Sequence, residues 1–163
     1  MPIFQNLSKD GQISPDIIAV GLQEMICLSA MNMIYGENPQ KMQEWETLLE
    51  NAIIDSTKDE GYIRLTSKSM VGCYLGIFIQ SKLVSQVGDV LVSKIKTGAW
   101  GSTGNKGAVV GRLRIDDTSI LFMNCHLMSG NNKGKLRIDE VNYIFDNVFK
   151  DEGLNRVSFS LYV

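Results

Sequence analysis

Residues 97–126 read TGAWGSTGNKGAVVGRLRIDDTSILFMNCH, and the fold is read outward from this stretch. Thr97–Gly107 is dense in glycine (Gly98, Gly101, Gly104, Gly107) and predicts a loop. Ala108–Ile115 predicts a strand, Asp116-Asp117 a tight turn, and Thr118–Cys125 the hairpin partner. Upstream, Gly88–Lys96 alternates and predicts another strand, and the apolar run Met70–Gln80 predicts a central one. Tyr62, Arg64 and Thr66 alternate with Ile63 and Leu65 as a further strand. Asn38-Pro39 opens a helix over 39–53, with Asn38 as N-cap and Met42, Trp45, Leu48, Leu49 and Ala52 at helical spacing. Ile17–Val20 predicts a short buried strand, followed by a loop rich in Met and Asn. Downstream, Lys133–Phe149 carries Leu136, Val141, Ile144, Phe145, Val148 and Phe149 at helical spacing. Val157–Val163 alternates like a strand and stops without a turn, which reads as a chain cut within a strand.

This order of elements predicts a layered α/β (α+β) domain: one mixed, mostly antiparallel sheet with two helices on one face. The opposite face is expected to be apolar and exposed.

The chain has 163 residues, a length that suits one domain, with 44% hydrophobic and 21% charged residues. Disordered, collagenous and low-complexity classes are thereby excluded. No apolar run reaches the roughly 18–20 residues of a membrane-spanning helix, and no basic segment followed by an apolar one opens the chain. Cys27, Cys73 and Cys125 are scattered, which fits a reducing compartment better than a disulfide framework. His126 is the single histidine, which excludes a zinc site of two or three histidines. Residues 1–81 hold five Lys/Arg against ten Asp/Glu, and residues 82–163 hold eleven against eight. The basic excess in the second half suits either a phosphate-bearing partner or a solvated strand face.

Three motifs carry chemistry. Glu24 lies just past the end of the first strand, where a carboxylate can ligate Mg²⁺ or simply be a loop residue. The glycine-rich loop with Asn105 and Lys106 lets backbone N–H groups approach an anion, or else merely connects two strands. It departs from a P-loop, because no GK[ST] follows and a strand rather than a helix comes next. His126 ends an apolar strand, where it can contact a phosphoryl oxygen or be a satisfied edge histidine. Cys125 reads as a packed strand residue, because no arginine follows in a phosphate-cradling loop.

Taken in order, PDIIAVGLQEM, a Trp-containing helix, MVGCYLGIFIQ, TGAWGSTGNKGAV, SILFMNCHLMSG and Arg137 resemble the inositol polyphosphate 5-phosphatases. The synaptojanin-like and oculocerebrorenal-type members share this succession, and the resemblance spans about residues 15–149. It implies the endonuclease/exonuclease/phosphatase superfamily, with a four-layer sandwich of two packed sheets, of which this chain would supply roughly half. It implies hydrolysis of the 5-phosphate of a phosphoinositide or inositol phosphate with Mg²⁺. By the same resemblance Glu24 is a metal ligand, His126 contacts the scissile phosphate, and Asn105 and Lys106 bind substrate. Cys125 replaces the usual serine of the histidine motif. Arg137 matches a family arginine whose following asparagine and aspartate are here Ile138 and Glu140.

The family's opening strand and its downstream aspartate- and histidine-bearing motifs have no counterpart in residues 1–163. The chain is therefore expected to be a partial catalytic domain with negligible turnover alone. A cytoplasmic location with peripheral membrane contact and no nucleic acid partner is expected. The alternatives are an inactive remnant that binds inositol phosphates, or another superfamily member such as a nuclease or sphingomyelinase.

Overall fold

The computed structural model describes residues 14–25, 39–57, 61–98 and 103–150. In chain order the elements are β1 (Ile17–Leu22), α1 (Pro39–Thr57), β2 (Tyr62–Met70), β3 (Cys73–Gln80), a 3-10 segment Ser81–Gln86, β4 (Val87–Gly98), β5 (Thr103–Ile115), β6 (Thr118–His126) and α2 (Gly134–Asn147). The strand expected over Val157–Val163, the Met/Asn-rich loop, the Asn38 cap and the tip of the glycine-rich loop lie outside the described residues.

The α/β class and the antiparallel pairing hold, but the single sheet does not. There are two antiparallel sheets, ordered β1-β3-β2 and β4-β5-β6. The apolar run Met70–Gln80 is not one strand. Val71 (φ 20°) and Gly72 (φ 75°) make a turn inside it, so Met70 ends β2 and Cys73 pairs back against it. The 3-10 segment then carries the chain from the first sheet into the second.

Side-chain parity explains the layering. All eight residues of β3 are buried, as expected of a strand covered on both faces. Tyr74 and Phe78 point to one side and pack with Met42, Leu49 and Ile53 of α1. Cys73, Leu75 and Ile77 point to the other and meet Val109 and Leu113 of β5. On the far side of β5, Ala108 and Val110 pack with Ile144, Val148 and Phe149. The order is helix, sheet, sheet, helix. The two helices therefore cover opposite outer faces, and the sheet faces expected to lie bare cover each other instead. At Gly111 a Cβ would press within 2.7 Å of Ile77 Cδ1, so the sheets approach closely there.

Along the chain both helices fall roughly where expected, though on opposite faces rather than one. Leu48, expected in the buried stripe of α1, is 57% exposed, because the stripe runs through Met42, Leu49 and Ile53 instead. The second helix ends at Asn147, yet Val148 and Phe149 beyond it stay buried. Phe149 adopts φ 59°, which turns the chain while its ring remains in the core. The Asp116-Asp117 turn is as expected, with Asp116 at φ 47°, a conformation aspartate tolerates.

Candidate active site

The glycine-rich stretch is less of a loop than its composition suggests. β4 runs through Gly98, and β5 begins at Thr103, with Gly98 paired to Thr103 and Lys96 to Gly107 across a bulge. Asn105 and Lys106 therefore lie on a strand. Gly107 has φ 139°, and a Cβ there would collide with the carbonyl oxygen of Ile95. Glycine at this position lets β5 close on β4 and sets Lys106 beside the end of β6, where Gly107 pairs with His126.

Glu24, Asn105, Lys106 and His126 meet at one end of the sandwich. Lys106 Nζ lies 2.9 Å from His126 Nε2, and Glu24 Oε1 lies 3.6 Å from the same nitrogen. A protonated lysine can only donate, so Nε2 accepts and the ring proton sits on Nδ1. The imidazole is buried, whereas the Glu24 side chain is 71% exposed. Burial pushes the His126 pKa below its ordinary value, and the Lys106 cation pushes it further down. The Glu24 carboxylate and a hydrogen bond with the Asn105 backbone act in the opposite sense. The outcome at neutral pH is an uncharged imidazole between an ammonium group and a carboxylate.

Glu24 occupies a left-handed conformation, φ 55°, which costs a non-glycine residue about 1–3 kcal/mol. Its neighbours hold it there. Gln23 Nε2 donates to Asn124 Oδ1 (3.1 Å) and to the Cys125 carbonyl (2.8 Å). Met25 N donates to the Gly72 carbonyl at 3.1 Å. The residue after β1 is thus tied to the end of β6 and to the β2–β3 turn.

Two positioning groups escaped the sequence reading. Asn124 Nδ2 donates to the carbonyls of Leu22 and Tyr74, each at 2.8 Å, and so links both sheets beside His126. Its signal was a lone amide inside the apolar run SILFMNC. Glu140, noted only as a departure from a motif, accepts from Thr97 Oγ1 (2.7 Å) and from Met128 N (2.8 Å). Arg137 Nη1 donates to the carbonyls of Met128 and Gly130, each at 3.2 Å. Together they brace the segment that follows His126. Cys125 packs on the α2 side of β6, and burial raises its thiol pKa to about 11, which disfavours the thiolate at neutral pH.

Among the described residues no three His, Cys, Asp or Glu side chains gather as a metal cage. Mg²⁺ does not need one. It takes one or two carboxylates and completes its shell with water and phosphate oxygens, and an exposed Glu24 carboxylate fits that role.

A family model described as endonuclease/exonuclease/phosphatase family 2 matches residues 2–160. Synaptojanin-2 of Homo sapiens is 38% identical over 126 residues, covering 77% of this chain and 8% of the relative. Inositol-1,4,5-trisphosphate 5-phosphatase 1 of Schizosaccharomyces pombe is 35% identical over 116 residues, covering 71% and 11%. The chain thus spans a small fraction of the length of these curated relatives. A solved inositol polyphosphate 5-phosphatase domain of SPsynaptojanin, in complex with inositol (1,4)-bisphosphate and calcium ion, superposes with a TM-score of 0.71. It is 29% identical, over 85% of this chain and 38% of that one. Topology and sequence agree, and the chain belongs to endonuclease/exonuclease/phosphatase family 2.

Proposed function

We propose that this chain carries part of a phosphatase site that removes the 5-phosphate of inositol polyphosphates or phosphoinositides, and that residues 1–163 are a portion of its catalytic domain. The observation that carries the reading is the placement of the Lys106 ammonium 2.9 Å from a buried imidazole, with a carboxylate 3.6 Å away on the same nitrogen. The phosphatase names of the relatives, and the inositol bisphosphate bound in the solved domain, support it.

Hydrolysis of a phosphate ester is mainly positioning and charge stabilisation. Glu24 would hold Mg²⁺, which supplies Lewis-acid neutralisation of the phosphoryl oxygens when bound. Lys106 binds a phosphoryl oxygen. The arriving anion offsets the burial and the Lys106 repulsion that together keep His126 uncharged, so Nε2 takes a proton from solvent and donates it as a hydrogen bond to the phosphate. Asn105, next to Lys106, contacts the remainder of the substrate. Gln23 and Asn124 hold Glu24 and His126 in register, which keeps these groups from reorganising during reaction.

A lipid substrate would bring the site to a membrane surface. Exposed Met128 and Leu136, with Lys133, Lys135 and Arg137 in the same segment, supply the apolar and basic groups such contact needs. No helix among the described residues is long and apolar enough to cross a membrane.

The test is titration of the 163-residue chain with inositol bisphosphate, with and without Mg²⁺, alongside a phosphate-release assay. Binding should weaken about tenfold or more in Lys106→Ala, and Glu24→Gln should abolish the Mg²⁺ effect. Turnover should stay near background, since among the described residues no second carboxylate for water activation joins Glu24 and His126. Absence of Lys106-dependent binding would remove the substrate reading, and robust His126-dependent turnover would remove the partial-domain reading.

A further inference from the structure

The last rung between β1 and β3 is out of step with the others, and that slip decides where Glu24 points. Along the ladder the register is constant, from Ile17 opposite Ile79 to Leu22 opposite Tyr74. Continued, it would set Glu24 opposite Gly72. Instead Met25 N donates to the Gly72 carbonyl at 3.1 Å. Gln23 and Glu24 therefore face the single residue Cys73, two against one, which is the arrangement of a β-bulge.

Side-chain alternation shows what the slip does. Ile18, Val20 and Leu22 pack on the α1 side of the sheet, and strict alternation would send Glu24 to that side as well. Met25 packs there instead. Glu24 is released from the alternation, takes φ 55°, and brings Oε1 to 3.6 Å from His126 Nε2 on the other sheet. Bulges re-aim side chains in this way, and they gather next to active sites.

We infer that Gly72 is a positioning residue for Glu24: its carbonyl captures Met25 one residue late and so turns the carboxylate toward His126. The surroundings fix that carbonyl. Met70 pairs with Cys73, so the turn has only two residues, Val71 and Gly72. Gly72 has φ 75°, which glycine adopts freely. Val71 is 4% exposed, so the turn is packed into the molecule. The residues that follow are tied to the strand carrying His126. Asn124 Nδ2 donates to the Tyr74 carbonyl at 2.8 Å, and Cys73 Sγ donates to the Asn124 carbonyl at 3.7 Å. The functional consequence, a metal ion held beside the phosphate, rests on the reading of Glu24 as a Mg²⁺ ligand. The positioning itself does not.

The test uses the 163-residue chain and acts on both ends of one hydrogen bond. Gly72→Val puts a β-branched residue where φ is positive, whereas Gly72→Asn tolerates that angle. Incorporation of the α-hydroxy analogue of methionine at position 25 replaces the N–H by an ester oxygen and leaves the side chain as it is. The readouts are the nuclear Overhauser contact between the Glu24 side chain and the His126 ring, amide exchange, and Mn²⁺ affinity by water-proton relaxation. In the parent the Met25 amide should be protected and the contact present. Gly72→Val and the ester should each lose the contact and weaken Mn²⁺ binding by about tenfold or more. Amides of the β1–β3 ladder should stay protected in both, which separates this effect from loss of the fold. Gly72→Asn should keep contact and affinity. A contact that persists in either folded variant lacking the bond, or an unprotected Met25 amide in the parent, overturns the inference. Mn²⁺ binding that Glu24→Gln does not weaken removes the metal reading alone, and the Overhauser contact then still decides the positioning.

Discussion

Gln23 and Asn124 join the two sheets side chain to side chain: the Gln23 amide, just past β1, donates to Asn124 Oδ1 of β6 at 3.1 Å. With its own two donors placed on the carbonyls of Leu22 and Tyr74, Asn124 satisfies three partners at once. It also crowds residue 21, where a Cβ would sit 3.1 Å from Asn124 Cγ.

Asn124→Leu removes these bonds, two of them to part-buried carbonyls. An unsatisfied buried group costs about 1–3 kcal/mol, so the substitution should destabilise the chain by roughly 2–5 kcal/mol. Urea denaturation measures it. An unchanged midpoint would mean that the link between sheets is dispensable.

Gly107→Ala introduces a Cβ into the carbonyl of Ile95 at a backbone angle that L-residues rarely adopt. The strain alone is worth about 1–3 kcal/mol, and relief requires β5 to part from β4. Thermal unfolding should fall, and amide exchange should quicken along the β4–β5 ladder more than along β2–β3. Gly130→Ala, where the only nearby atom is the Lys133 side chain at 3.7 Å, should cost less.

The single histidine gives one unambiguous imidazole signal by proton NMR. In metal-free protein its pKa should lie below the ordinary 6.5 and rise in Lys106→Ala. A histidine depressed in the folded state leaves the unfolded chain to bind the proton first. Stability is therefore full at neutral pH, declines as pH falls through about 6.5, and levels off below the folded pKa. Lys106→Ala should flatten that decline. A titration unmoved by the substitution would contradict the 2.9 Å contact.

Burial raises the pKa of both Cys73 and Cys125 to about 11. Both thiols should resist alkylation at pH 8 and react after denaturation. Because the unfolded thiols ionise near 9 and the folded ones near 11, stability should fall as pH climbs between those values. Fast labelling of either cysteine in the native chain, located by mass spectrometry, would show the packing to be wrong.

The sequence displays what is local. The Asp116-Asp117 hairpin, the two helices and the buried character of residues 73–80 follow from turn chemistry and periodicity. The ordered succession of weak motifs indicates which residues gather at the site. Sheet membership is not local. Nothing in the alternation of Gly88–Lys96 says whether β4 extends the first sheet or begins another, and the Val71-Gly72 turn is hidden inside an apolar run. Asn105 and Lys106 read as loop residues because glycine density signals flexibility, whereas here Gly107 permits a close strand pairing. Asn124 passed unnoticed because one amide acquires its meaning only from carbonyls supplied by β1 and β3.

The passage from one sheet to the other through Ser81–Gln86 makes each ply contiguous along the chain. Residues 17–80 hold one helix and one sheet, and residues 87–149 hold the other pair. During synthesis the first ply leaves the ribosome with its own strands able to pair, while Leu75 and Ile77 still await Val109 and Leu113. For that interval its inner face is bare, which makes the nascent chain a client for chaperones. A pause in translation within the second ply would lengthen the exposure, and translation speed there would bear on yield as much as any contact in the finished molecule.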